Sequence, residues 1–297
     1  MNATLQKRLV RFVLYPAFFS VCFAAMLLLN FPYGALKERL AGEARKQGVE
    51  MSMDELKPVL GGVRANGLSL GLFKAAEGKG EPEPLRIDSL EIRPLVFPLG
   101  VHVHARLLGG LLDASLKRDK GLTLKLRAKA LQLSRLPPEA TGNVLLDGAV
   151  ALLADLKVDG QDFAKTEGRV AVLGEELLLS KGEVMGFTLP RVDLGRLELD
   201  MALSGGKAHL TTARTTGVDL VTIFEGDITQ ARKPALSKAN LTVRLQPDET
   251  FLTRNSLIAA ALKMGMKKDD DGYYTALIKG PVNSLNVGTP QKKNRKK

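Results

Sequence analysis

The sequence predicts a mainly β protein: an N-terminal transmembrane helix, then an elongated, curved antiparallel β-sheet or sandwich with a few short helices. Three observations predict it. An uncharged run of 18 residues, Phe12 to Leu29, follows closely on Lys7, Arg8 and Arg11. From Val49 onward apolar and polar residues alternate in many short runs, the period of a strand with one covered face. Gly, Pro and Asp separate those runs at short intervals, as in all-β sandwiches, barrels and long sheets.

The apolar run has the length of a membrane span, because about 20 helical residues cross the hydrocarbon core. Phe31 and Tyr33 supply aromatics at its far end, and the cations before it hold the N-terminus in the cytoplasm. A cleaved signal peptide needs a small-x-small site after a shorter run. Here the run ends Leu27-Leu28-Leu29-Asn30-Phe31-Pro32, and Val21 before Cys22 does not suit a lipoprotein signal. The chain divides accordingly. Residues 1–11 are a basic cytoplasmic terminus, 12–30 a transmembrane helix and 31–48 a membrane-proximal helix. Residues 49–283 are a β-rich domain beyond the membrane, and 284–297 a basic, disordered tail.

The formal net charge of +11 would suggest nucleic acid, but its placement argues otherwise. Eight cations lie in residues 1–11 and 291–297, where no acid occurs, and removing them leaves 35 basic against 32 acidic residues. The body is near neutral. Trp is absent and aromatics are 5%, which argues against a base-stacking nucleic-acid binder and leaves no nucleic acid among the expected partners. The single cysteine, Cys22, lies within the membrane run, so no disulfide forms inside the chain.

In order, Ala35 to Gln47 places Leu36, Leu40 and Ala44 on one stripe, a short helix ended by Gly48. Val49 to Met53 and Gly62 to Leu70 alternate as strands, and Lys74 to Pro84 reads as a loop. Leu85 to Ile92, Val101 to Leu108 and Leu111 to Lys117 follow, with Pro94 and Pro98 marking a turn. The clearest strand has Leu122, Leu124, Leu126, Ala128 and Ala130 on one face and Thr123, Lys125, Arg127 and Lys129 on the other. Further strands are expected over 144–153, 168–173, 177–183, 192–203, 208–213, 220–228 and 239–245. Gly174, Gly186, Gly205-Gly206, Gly217 and Pro234 are the expected breaks. Thr250 to Gly265 has helical texture, and Tyr273 to Ile278 is a closing strand.

No constellation carries chemistry well. Gly67-Leu68-Ser69-Leu70-Gly71 matches a nucleophile-elbow string but sits among strand residues, whereas the elbow needs a strand-to-helix turn. His102 and His104 share a strand face, and His209 is the only other histidine. Asp269, Asp270 and Asp271 before Gly272 lack the spaced ligands of a calcium loop and read as a hairpin turn. Gly205-Gly206-Lys207 lacks the rest of a phosphate loop. The expectation is no enzyme, no catalytic residue, no metal and no cofactor.

Several features together resemble type II secretion system protein N in its long form from delta-proteobacteria and spirochaetes. They are the anchor ending in Phe31-Pro32-Tyr33, the strand with Gly62 and Gly67-Leu68, and the Gly109-Gly110 hairpin. Phe187-Thr188-Leu189-Pro190 to Leu199, Gly217-Val218-Asp219-Leu220 with Gly226-Asp227-Ile228, and Asp271-Gly272-Tyr273-Tyr274 with Gly280-Pro281 complete the pattern. The same texture resembles the wider AsmA-like group of anchored periplasmic β-proteins, some linked to lipid transport. The basic tail after Pro290 belongs to neither pattern.

The resemblance implies an inner-membrane protein of a Gram-negative cell, N-terminus cytoplasmic and main domain periplasmic, serving the type II secretion machine without catalysis. Its partners would be the membrane and other type II secretion proteins. The alternative is a lipid-binding or lipid-bridging module, with Leu122, Leu124, Leu126, Ala128 and Ala130 as a candidate lipid-facing strand left uncovered. An envelope hydrolase using Ser69 is the third reading, and it needs a histidine within hydrogen-bond reach.

Overall fold

The computed structural model describes residues 26, 32–46, 49–71, 83–118, 121–141, 144–159, 162–184 and 187–288. The expected transmembrane helix over 12–30 lies outside these residues apart from Met26. Among the described residues no helix is long and apolar enough to cross a membrane. The loop expected over 74–84 lies almost wholly outside them as well.

Helix α1, Tyr33–Lys46, comes first and packs on the first strands, with Val49 N–H bonded to the Ala44 carbonyl. Then come β1 (Glu50–Ser52), β2 (Glu55–Val59), β3 (Gly62–Gly71), β4 (Leu85–Leu95), β5 (Gly100–Leu107) and β6 (Gly110–Arg118). β7 (Leu122–Gln132), β8 (Leu145–Val158), β9 (Glu167–Val184), β10 (Phe187–Leu189) and β11 (Val192–Ser204) follow. β12 (Lys207–Thr216), β13 (Leu220–Thr229) and β14 (Lys238–Pro247) lead to helices α2 (Glu249–Arg254) and α3 (Ser256–Gly265). β15 (Lys267–Lys268), β16 (Tyr274–Pro281) and β17 (Asn286–Gly288) close the described chain.

All 17 strands join one antiparallel sheet rather than the two layers of a sandwich. From β2 to β9 each strand pairs with the next, and the ladder continues β9–β11–β12–β13–β14–β16–β17. β1 and β2 share one edge against β3, and β15 and β17 share the other against β16. Both edges are guarded as soluble proteins guard them, with very short strands, Pro58 and lysines.

The burial pattern is that of a single layer. Seven of the sixteen buried apolar residues among those described are alanines, with Ala105 and Ala128 at 1% exposure each. Leu124 and Leu126 beside them are only half-buried. On β7 the neighbouring strands shade the short Ala128 side chain but not the ends of Leu124 and Leu126. A compact cluster of Met53, Ala65 and Leu68, with Met51, Leu56, Ile87 and Leu90 against it, forms where β1 and β2 meet β3.

Several expectations are corrected. Gly174 is not a turn: β9 is one strand of 18 residues, with a bulge near Glu176 at φ 53°. Gly174 is small because a Cβ there would lie 2.8 Å from Leu177 and 3.0 Å from Leu197. Pro94 lies inside β4, paired with Val101 beyond the last β3 partner, where a missing N–H is tolerated. The helical stretch over 250–265 is two helices split at Asn255, whose side-chain amide donates to the Phe251 carbonyl. The sheet runs past residue 283, because β17 pairs Leu277 with Gly288.

Candidate functional site

The alternation in β7 does put its leucines on one face, and cross-strand register extends that face in both directions. Leu116, Leu124 and Leu156 form one row. Ala114, Leu126, Ala154, Val170 and Met201 form the next. Leu112, Ala128, Leu152, Val172, Leu199 and Ala213 form a third. No titratable residue occupies these rows. The face can hold apolar chains or an apolar partner, and it offers no group for acid–base work.

Leu122, Leu124, Leu126 and Ala128 take their expected places, but Ala130 does not. It has φ 53°, is exposed, and falls in a register shift between Ala128 and Leu131. Leu131, paired with Val150, takes the position that Ala130 would have filled. The bulge depends on how β7 meets β8, which the local alternation does not encode.

The opposite face is a ladder of ion pairs. Arg64 bonds Glu91 at 2.6 Å, Lys125 meets Asp155 at 3.1 Å, and Arg214 reaches Glu198 at 2.7 Å. Arg169 clasps Asp200 with two donors, and His104 meets Asp113 at 2.6 Å. Hydrogen bonds from Arg64, Arg214 and Arg169 hold the Glu91, Glu198 and Asp200 carboxyls below the usual range. A depression of about 600 Å³ lies on this face, bounded by His102, Lys125, Arg127, Leu153 and Arg169. Leu153 and Ala171 make its floor apolar where β8 and β9 abandon strict alternation. The run Ala149-Val150-Ala151-Leu152-Leu153-Ala154 was the sequence signal for that island.

Ser69 and the histidines are not brought together. Ser69 pairs with Ser52 and Arg86, whereas His104 pairs with Glu91, roughly 15 Å further along β4 and one strand away. His102 is further still, and His209 sits on β12 bonded to Asp227. The Asp269–Gly272 segment is a turn, with Gly272 at φ 88°, and it is held more firmly than its sequence suggests. Arg244 donates to Asp269 and Asp271 at 3.1 Å each and lies 4.4 Å from the Tyr273 ring centre. Sequence reasoning missed this cluster because Arg244 is on another strand.

No protein-family model, curated protein or solved structure matches the chain.

Proposed function

We propose that the chain is a non-catalytic, membrane-anchored periplasmic component of the type II protein secretion machinery. Residues 12–30 hold it in the inner membrane with the N-terminus cytoplasmic, and an elongated, curved sheet extends into the periplasm. Its working surface is the apolar face. The observation that carries this reading is that a broad apolar face stays only partly buried at Leu124 and Leu126 although it is continuous over many strands. A monomer rarely leaves such a face without a binding role. The assignment to secretion rests on the sequence resemblance.

The same face favours a second reading, an AsmA-like lipid-binding or lipid-bridging protein. Rows without a titratable group suit acyl chains as well as apolar protein surface.

Photo-crosslinking in cells from Leu122, Leu124 and Leu126, with export measured in a deletion strain, separates the two. Adducts to secretion-machine proteins and a loss of export are the expected result. Adducts to phospholipid or lipopolysaccharide with normal export would replace it with the lipid reading. Adducts only within the chain would overturn both.

A further inference from the structure

Turns are ordinarily the polar part of a β-sheet, because Gly, Asn, Asp and Ser supply the backbone shapes they need. The hairpin joining β4 to β5 departs from this. Leu95 pairs with Gly100, and the residues between them are Val96, Phe97, Pro98 and Leu99, all apolar. Val96 and Leu99 are 68% exposed and Phe97 is 94% exposed. The neighbouring hairpin, from β2 to β3, carries Leu60 at its tip, 95% exposed. Val63 pairs with Ile92, so the two tips stand side by side, roughly 10 Å apart by the strand spacing. One exposed leucine would mean little. Four large apolar residues on two adjacent tips, one of them a phenylalanine, are a surface.

The path of the chain says what covers it. The Val49 N–H bonds the Ala44 carbonyl, and Lys37 Nζ donates to the Asp54 carbonyl at 3.3 Å. Helix α1 therefore runs back along β1 and β2, and its first turn at Tyr33 lies toward the β2–β3 tip. The uncharged run Phe12 to Leu29 ends only a few residues before that turn. The apolar tips and the entry of the chain are thus at the same end of the strands. Charge agrees with this. Lys117 and Arg118 end β6 beside the tip, where the Arg118 N–H bonds the Leu99 carbonyl at 2.7 Å. Aromatic and aliphatic side chains in front of cations are the composition of a segment at a membrane–water boundary. A protein pocket would have to accept two separate convex tips, whereas a fluid bilayer surface meets both at once.

We propose that the β2–β3 and β4–β5 tips seat Leu60, Val96, Phe97 and Leu99 in the interface of the membrane that holds the chain. The inference rests on the anchor of the proposed function. It adds a second point of attachment, so the sheet stands on the bilayer in one orientation and its apolar face stays free.

The absence of Trp makes the test direct, because Phe97→Trp introduces a single emitter with an aromatic replacing an aromatic. The full chain is reconstituted into liposomes of phosphatidylcholine and phosphatidylglycerol with brominated acyl chains. The expected result is a blue shift and strong quenching, both reduced severalfold when Leu60→Glu and Leu99→Glu are added. Val218→Trp, on the β12–β13 turn at the opposite end of the strands and 78% exposed, stays unquenched. Unshifted, unquenched emission from Phe97→Trp would overturn the proposal. Quenching indifferent to the two glutamates, or equal at Val218→Trp, would overturn it too. Carbonate-resistant flotation reads the anchor separately. A chain that fails to float yet is quenched by excess vesicles keeps the tips and loses the anchor. A chain that floats without quenching keeps the anchor and loses the tips.

Discussion

At the scale of single residues, Gly67 shows how a motif string can arise from geometry. It sits at φ 59° in β3, skipped by the β3–β4 register between Asn66 and Leu68. A Cβ there would fall 1.9 Å from the Asp54 carboxylate, while the Asp54 N–H bonds the Asn66 carbonyl at 3.1 Å. The glycine lets the edge change partner from β2 to β1. Gly67→Ala is therefore expected to cost about 1–3 kcal/mol of unfolding free energy, read by urea denaturation. An unchanged midpoint would refute the close approach of Asp54. That a glycine matters at position 67 was visible in the sequence. Its reason was not, because the strain is set by a residue 13 positions earlier.

At the scale of elements, β7 is the most legible strand and β9 the least. Charged residues alternate with leucines in β7, so its period is unmistakable until the bulge displaces Ala130. In β9 a glycine serving close packing looks like one serving a turn, and only the neighbouring strand tells them apart. The single layer also fixes how β7 responds to truncation. Leu→Ala in a closed core costs about 2–5 kcal/mol. Leu124 is partly buried with no second layer over it, so Leu124→Ala is expected to cost about 2 kcal/mol by the area rule, without a closed cavity to add to it. A loss of about 4 kcal/mol or more would mean that a second layer covers the face.

At the scale of the whole molecule, the ion-pair ladder sets the response to acid. Glu91, Glu198 and Asp200 titrate lower in the fold than in the unfolded chain, each chiefly through an arginine hydrogen bond. Between the two pKa values the unfolded state binds more protons, so the stability is present above about pH 4 and is lost as pH falls through the folded values. Thermal melts should be level from pH 7 to about 5 and drop progressively below about 4. The pairs of Arg169 and Arg214 are exposed, so the drop is modest. A midpoint that held steady or rose down to about pH 3 would contradict the ladder's role. The fold class was legible because strand period survives without tertiary information. The choice of one sheet over two was not, since an apolar face reads the same whether covered or bare.

The pairing order is also an order in time. Between β2 and β9, and again from β11 to β14, each strand needs only the strand before it. A chain emerging from its N-terminus during synthesis can close each ladder as the next hairpin appears, with small loop-closure cost at every step. The growing end is an open edge until the last strands arrive. The two-residue β15 and three-residue β17 then act as the stop, ending a template that would otherwise accept a stranger's strand.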